Sequence, residues 1–117
     1  SNHFENYYGT PRFFVEQKLA EGCDVILEID VDGAKHIRDA FPDALLLMIT
    51  PPSREELVRR LRLRGTEDEV LIEKRLQRAD YEMSRSQFYD YTVINDDLEQ
   101  TVENILKILE NRRKQTK

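Results

Sequence analysis

Apolar and polar positions alternate along the chain between two spacings, one typical of helices and one typical of strands. Helical spacing predicts helices over residues 13–21, 32–41, 53–64, 66–88 and 98–113. Short apolar runs predict buried strands over residues 25–30, 44–50 and 91–95. Strands that alternate with helices in this way indicate an α/β fold with a parallel sheet.

Capping signals define where these helices begin and end. Gly22 and Gly65 suit the left-handed position after a helix. Capping boxes precede three helices and pair Ser53 with Glu56, Thr66 with Glu69, and Asp96 with Glu99. Two capped helices joined at one glycine predict a helical hairpin able to move as a lid.

Two helices carry apolar stripes that predict their buried faces. The stripe of the long hairpin helix contains Leu76, Ala79 and Met83. The stripe of the last helix should dock on the sheet and contains Val102, Ile105, Leu106 and Leu109.

The net charge and the distribution of arginines indicate which class of ligand the chain binds. The net charge of the 117 residues is -5, yet five arginines lie between residues 54 and 64, namely Arg54, Arg59, Arg60, Arg62 and Arg64. An acidic chain with one basic patch favours a small anionic ligand over nucleic acid. No apolar run approaches the ~20 residues of a membrane span. Cys23 is the only cysteine, which excludes an intramolecular disulfide and favours the cytoplasm.

Hydroxyl and carboxylate groups mark two candidate binding points. Residues 6–10 (NYYGT) place two phenols and a threonine around one glycine, which suits a small polar ligand. This turn lies so near the start that we expect further parts of the site upstream. Asp30 ends a predicted strand, where such folds bind ligands, and its alternative role is a helix cap. His3 and His36 show no metal-ligand spacing.

Six segments together resemble guanylate kinases. In chain order they are residues 6–10, 27–30, 51–53, 60–66, 74–76 and 93–97. The resemblance implies a P-loop NTPase-like three-layer parallel-sheet fold with a helical lid. It divides one domain into residues 1–52 (GMP-binding region and central strands), 53–88 (lid) and 89–117 (final strand and helix). The implied reaction transfers the γ-phosphoryl of ATP to GMP, with Mg²⁺ bound to ATP, in the cytoplasm.

The resemblance also implies roles for the substrate-binding side chains. Tyr8 resembles the tyrosine that binds the GMP phosphate, and Thr10 the hydroxyl that reads the guanine edge. Asp30, with Glu28, resembles an acid pair near the phosphates, and Asp30 would hold magnesium through water.

The remaining implied roles concern ATP. Arg60, Arg64 and Arg75 resemble the lid arginines that clamp its phosphates, a role that suits the planar guanidinium fork. Arg60 and Arg64 are four residues apart, so they share one helical face. Asn95 resembles the residue near the adenine ring, and a strand-to-helix cap is its alternative role.

One departure from the family is large. The ATP-binding motif G-x-x-x-x-G-K-[ST] is absent, since no two of the four glycines are five apart. We therefore expect the chain to be a C-terminal portion of a longer polypeptide, inactive alone. The missing strand would leave a gap in the sheet, so self-association through open strand edges is expected.

Two other functions remain open. One is a catalytically inactive guanylate-kinase-like binding module, which the retained lid arginines and Asp30 disfavour. The other is a nucleic-acid-binding protein that uses the arginine-rich helix and the basic residues 112–114, which the net charge disfavours.

Overall fold

The computed structural model describes residues 11–65 and 68–115. They belong to two compact units, Ser1–Ala44 and Leu45–Lys117. Each unit is described by itself.

The first unit contains two helices, α1 (Pro11–Ala20) and α2 (Val31–Ala40). Helix α1 ends as predicted, because Gly22 adopts φ +87° and the Cys23 N–H donates to the Lys18 carbonyl at 3.0 Å. Helix α2 begins where the Asp30 side chain caps it. The buried side chains of this unit include Val15, Val31 and Ala34.

The prediction of a strand over residues 25–30 is wrong. The structure assigns no strand to this segment, and Ile26 is 87% exposed. A β-strand exists only through hydrogen bonds to a neighbour, and in the described part of the chain these residues pair with no strand. An alternation does persist, since Val25, Leu27 and Ile29 are half-buried while residues 26 and 28 are exposed.

The second unit is built on two parallel strands, β1 (Leu47–Thr50) and β2 (Tyr91–Ile94). Their register pairs Leu47 with Tyr91 and Thr50 with Ile94. The buried apolar residues of this unit are Leu46, Met48, Leu61, Ile72, Leu76 and Val93. The predicted parallel sheet is confirmed for these two strands, with β1 starting at Leu47 and not at residue 44.

Along the chain, a helical hairpin connects β1 to β2 and consists of α3 (Arg54–Leu63) and α4 (Glu69–Ser84). We call α3 and α4 the lid hairpin. Ser53 caps α3 as predicted, because its hydroxyl accepts from the Glu56 N–H at 3.1 Å. Gly65 turns the chain with φ +89°. Leu76 is buried as predicted, whereas Met83 is exposed.

The ends of α4 differ from prediction. Its N-cap is Asp68, whose carboxylate accepts from the Val70 N–H at 2.9 Å, while the predicted cap Thr66 lies outside the described residues. The predicted helix runs to Phe88, but α4 ends at Ser84 and a 3₁₀ turn follows over Ser86–Phe88.

The last helix, α5 (Leu98–Gln115), also has a different cap, and only part of its predicted apolar stripe is covered. Asp97, not Asp96, supplies the cap, because its carboxylate accepts from the Glu99 N–H at 3.3 Å. Val102 and Leu106 are exposed, so their predicted docking is wrong, whereas Ile105 and Leu109 of the same stripe are half-buried. The described sheet has only two strands and covers too little of the stripe. No helix among the described residues is long and apolar enough to cross a membrane.

Candidate functional site

The predicted site residues fall into three groups in the structure. Tyr8 and Thr10 lie outside the described residues. Glu28 and Asp30 belong to the first unit, and the second unit contains Arg60, Arg64, Arg75 and Asn95.

Asp30 is a helix cap, which confirms its alternative role. Its Oδ1 accepts from the Gly33 N–H at 2.8 Å, and its backbone carbonyl accepts from the Ala34 N–H at 2.8 Å. The side chain is held at the start of α2 and is half-buried, whereas Glu28 is exposed.

The chemistry of Asp30 is also compatible with the implied metal. A carboxylate has about four acceptor sites, so capping through Oδ1 does not exhaust it. Magnesium is usually bound by one or two carboxylates together with waters and substrate phosphates. Within residues 11–65 and 68–115, no three His, Cys, Asp or Glu side chains group to hold a metal ion. Asp30 is therefore compatible with a magnesium ion held through water, and not with a metal site built from protein ligands alone.

Arg60 projects from α3 to the end of β2. Its Nη1 donates to the Asn95 carbonyl at 2.8 Å, and its Nη2 donates to the Asp96 carbonyl at 3.4 Å. Its Nε donates to Glu56 Oε1 at 3.0 Å. Because all three guanidinium nitrogens have partners, Arg60 ties the lid hairpin to the segment that follows β2.

Glu56 sits between two arginines of α3. Arg59 approaches it with two hydrogen bonds of 2.6 and 2.9 Å, and Arg60 adds a third. The hydrogen bonds from Arg59, and then from Arg60, lower the pKa of Glu56 to about 2. Glu56 is therefore ionised at neutral pH and holds the Arg60 side chain in place.

Arg64 and Arg75 differ from Arg60. Both are exposed, and neither forms an ion pair with another residue in the part of the chain that the structure describes. Arg64 is the C-cap residue of α3, one turn beyond Arg60. Two arginines without a carboxylate partner suit an anion supplied by a ligand.

The two helices of the lid hairpin are joined by ion pairs. Arg54 on α3 pairs with Asp80 on α4, and this carboxylate raises the pKa of Arg54. Arg62 pairs with Glu69 at 2.7 Å near the turn. Since both pairs are exposed, each is weak, but together they favour movement of the hairpin as one body.

Asn95 is fixed at the carboxyl end of β2 by contacts with three other elements. Its N–H donates to the Thr50 carbonyl next to it at 2.8 Å, and its carbonyl accepts from Arg60. Its Oδ1 lies 3.2 Å from the hydroxyl of Thr101 on α5. The half-buried Asn95 is therefore held where ligands bind in open parallel sheets.

Sequence reasoning missed Thr101. This residue is 4% exposed, and its hydroxyl also lies 2.9 Å from the Asp97 carbonyl. A threonine four residues after the Asp97 cap carries a usable signal, because its hydroxyl reaches that carbonyl in the first helical turn.

Comparison with known proteins identifies the family. The guanylate kinase family model matches residues 1–112. The chain belongs to the guanylate kinase family. A guanylate kinase of Prochlorococcus marinus subsp. pastoris is 47% identical over 106 residues, which are 91% of this chain and 58% of that protein. A guanylate kinase of Latilactobacillus sakei is 43% identical over 111 residues, which are 95% of this chain and 55% of that protein.

A solved structure agrees with the fold. The guanylate kinase of Anaplasma phagocytophilum has a TM-score of 0.66 at 32% identity, over 82% of this chain and 45% of that one. This likeness confirms the α/β fold, of which the described sheet is a part. The chain thus spans about half the length of the guanylate kinases it matches.

Proposed function

We propose that this chain provides the lid and part of the substrate site of an enzyme that transfers the γ-phosphoryl of ATP to GMP. The observation that carries the proposal is the placement of the lid hairpin. Arg60 ties α3 to the carboxyl end of β2, and Arg64 follows one helical turn later with no ion pair among the described residues. A cationic helix beside a ligand-binding sheet edge suits a nucleotide phosphate.

The proposed division of labour follows the chemistry of each side chain. Tyr8 and Thr10 bind GMP through their hydroxyls, and Glu28 accompanies Asp30 near the phosphates. Arg64 and Arg75 bind the ATP phosphates and offset the charge that spreads over the transferring phosphoryl. Their exposed guanidinium groups support this role, because neither has an ion pair within residues 11–65 and 68–115 that contact with phosphate would break.

Magnesium bound with ATP would neutralise phosphate charge, and Asp30 would hold it through water. The rigid cap geometry of Asp30 supports this assignment, since it keeps the carboxylate in one orientation. Asn95 would lie near the adenine base. We also propose a cytoplasmic location, on the single cysteine of the chain.

The phosphate-cradling glycine motif is not among these 117 residues. We therefore propose that transfer also requires the part of the relatives' length that this chain does not match, and that the isolated chain is inactive. The test uses a chimera in which this chain replaces the matched 58% of the Prochlorococcus marinus protein. We call this chimera the completed enzyme.

The deciding variant is Arg64→Ala in the completed enzyme. Because the guanidinium acts on the transferring phosphoryl, we expect kcat to fall about 100-fold or more, as for loss of one charge-stabilising donor. Affinity for GMP, measured by calorimetry, should change little. Arg59→Ala is the control, since Arg59 lies on the same helix and pairs only with Glu56 among the described residues.

Equal losses in kcat and GMP affinity would refute the role of Arg64 in the transfer step. GMP binding by a completed enzyme that transfers no phosphoryl group would instead support the binding-module alternative.

A further inference from the structure

The three lid arginines are not equivalent in the structure. Arg64 and Arg75 are exposed, whereas the Arg60 side chain is 28% exposed and has partners on every guanidinium nitrogen. Its neighbour Arg59 is 61% exposed and contacts only Glu56 among the described residues. Arg60 is thus committed to the protein and not to solvent.

Two of the three partners of Arg60 are the backbone carbonyls of consecutive residues after β2, Asn95 and Asp96. Asn95 accepts from Arg60 through its carbonyl and donates to the Thr50 carbonyl through its N–H, and its side chain lies 3.2 Å from the Thr101 hydroxyl. The backbone of Asn95 is therefore held at both its carbonyl and its N–H, and its side chain lies against Thr101 on α5.

We propose that Arg60 is a positioning residue that holds Asn95 for the base of the phosphoryl donor, and that Thr101 completes this hold. The inference rests on the proposed function. It removes Arg60 from the set of phosphate ligands, because a guanidinium that bonds two backbone carbonyls and Glu56 must leave them before it can reach a phosphate. It also makes lid position and base recognition interdependent, since Arg60 belongs to the lid hairpin.

The test compares Arg60→Met and Arg64→Met in the completed enzyme. Methionine keeps an apolar stem and removes the donors. For Arg60→Met we expect the KM for ATP to rise about 5- to 10-fold, the effect of one lost oriented hydrogen bond, with kcat within about threefold. The preference for ATP over GTP as donor should fall by a similar factor. Arg64→Met should instead lower kcat. Arg78→Met is the matched control on the lid hairpin, since Arg78 contacts Glu82 and Tyr81 on its own helix, and it should leave all three quantities unchanged.

A second pair of variants separates the proposal from a folding defect. Thr101→Val removes the hydroxyl and keeps the side-chain shape, whereas Thr101→Ser keeps the hydroxyl. We expect Thr101→Val to raise the KM for ATP and weaken donor preference as Arg60→Met does, and Thr101→Ser to behave as the parent.

The outcomes distinguish the two levels of inference. An inactive unsubstituted completed enzyme would contradict the proposed function. An active enzyme in which Arg60→Met lowers kcat about as much as Arg64→Met, with donor preference intact, would make Arg60 a phosphate ligand and overturn the inference. Unchanged KM and donor preference in both Arg60→Met and Thr101→Val would also overturn it.

Discussion

Asp90 anchors the start of the two-stranded sheet, and its removal should destabilise the second unit measurably. Its Oδ2 accepts from the Leu46 N–H at 2.8 Å, just before β1. In return, the Asp90 and Tyr91 N–H groups donate to the Leu46 carbonyl at 2.9 and 3.3 Å. Asp90→Ala leaves the two backbone bonds in place and removes the acceptor of the buried Leu46 N–H.

The magnitude follows from the burial of the two partners. An unsatisfied buried donor costs about 1–3 kcal/mol. Leu46 is 6% exposed but Asp90 is exposed, so water reaches the site partly and the lower half of that range applies, about 1–2 kcal/mol. For 117 residues this corresponds to a melting temperature lower by roughly 4–8 °C. Asp90→Asn keeps an oxygen acceptor and should cost about half as much.

Urea unfolding followed by circular dichroism measures the global effect, and amide hydrogen exchange at Leu46 measures the local one. We expect faster exchange of this N–H in Asp90→Ala than in Asp90→Asn. A free energy of unfolding within about 0.5 kcal/mol of the parent, the range of ordinary surface changes, would refute the anchor if Leu46 exchange were also unchanged.

Two further perturbations test the lid hairpin. Gly65→Ala should cost about 1–2 kcal/mol from backbone strain alone, because φ is +89° and no atom lies within 4 Å of the added Cβ; a neutral result in urea unfolding would contradict the left-handed turn. The pKa of Glu56 is lowered to about 2 from its ordinary 4.5, so its stabilising contribution is present above pH 4.5 and lost as the pH falls through 2. In Glu56→Gln, the free energy of unfolding should therefore fall less between pH 4.5 and pH 2 than in the parent. An unchanged pH profile would show that the arginine contacts do not persist in solution.

Local signals predicted much of this fold because each acts within a few residues. Ser53 caps α3, and both predicted glycines adopt positive φ. Caps depend on hydrogen bonds to nearby N–H groups, so sequence spacing alone reveals them. Where neighbouring residues can both cap, spacing is less decisive: Asp97, and not Asp96, caps α5, and Asp68 caps α4.

The candidate site was predicted unevenly for the same reason. Residue type and order pointed to Arg60, Arg64 and Arg75 as lid cations, a role that stays a prediction. The partners of Arg60 at residues 95 and 96 are 35 and 36 positions away, beyond any periodicity. Thr101 escaped notice because its importance depends on burial against Asn95.

By itself the sequence determined the alternation of elements, the ends of several helices and the guanylate kinase resemblance that the family match confirms. Only the tertiary structure decided that residues 25–30 form no strand, that Val102 and Leu106 are exposed, and that Arg60 binds the segment after β2. The physical reason is that periodicity shows which face of an element is apolar, whereas strand pairing and burial require a second element that is distant in sequence.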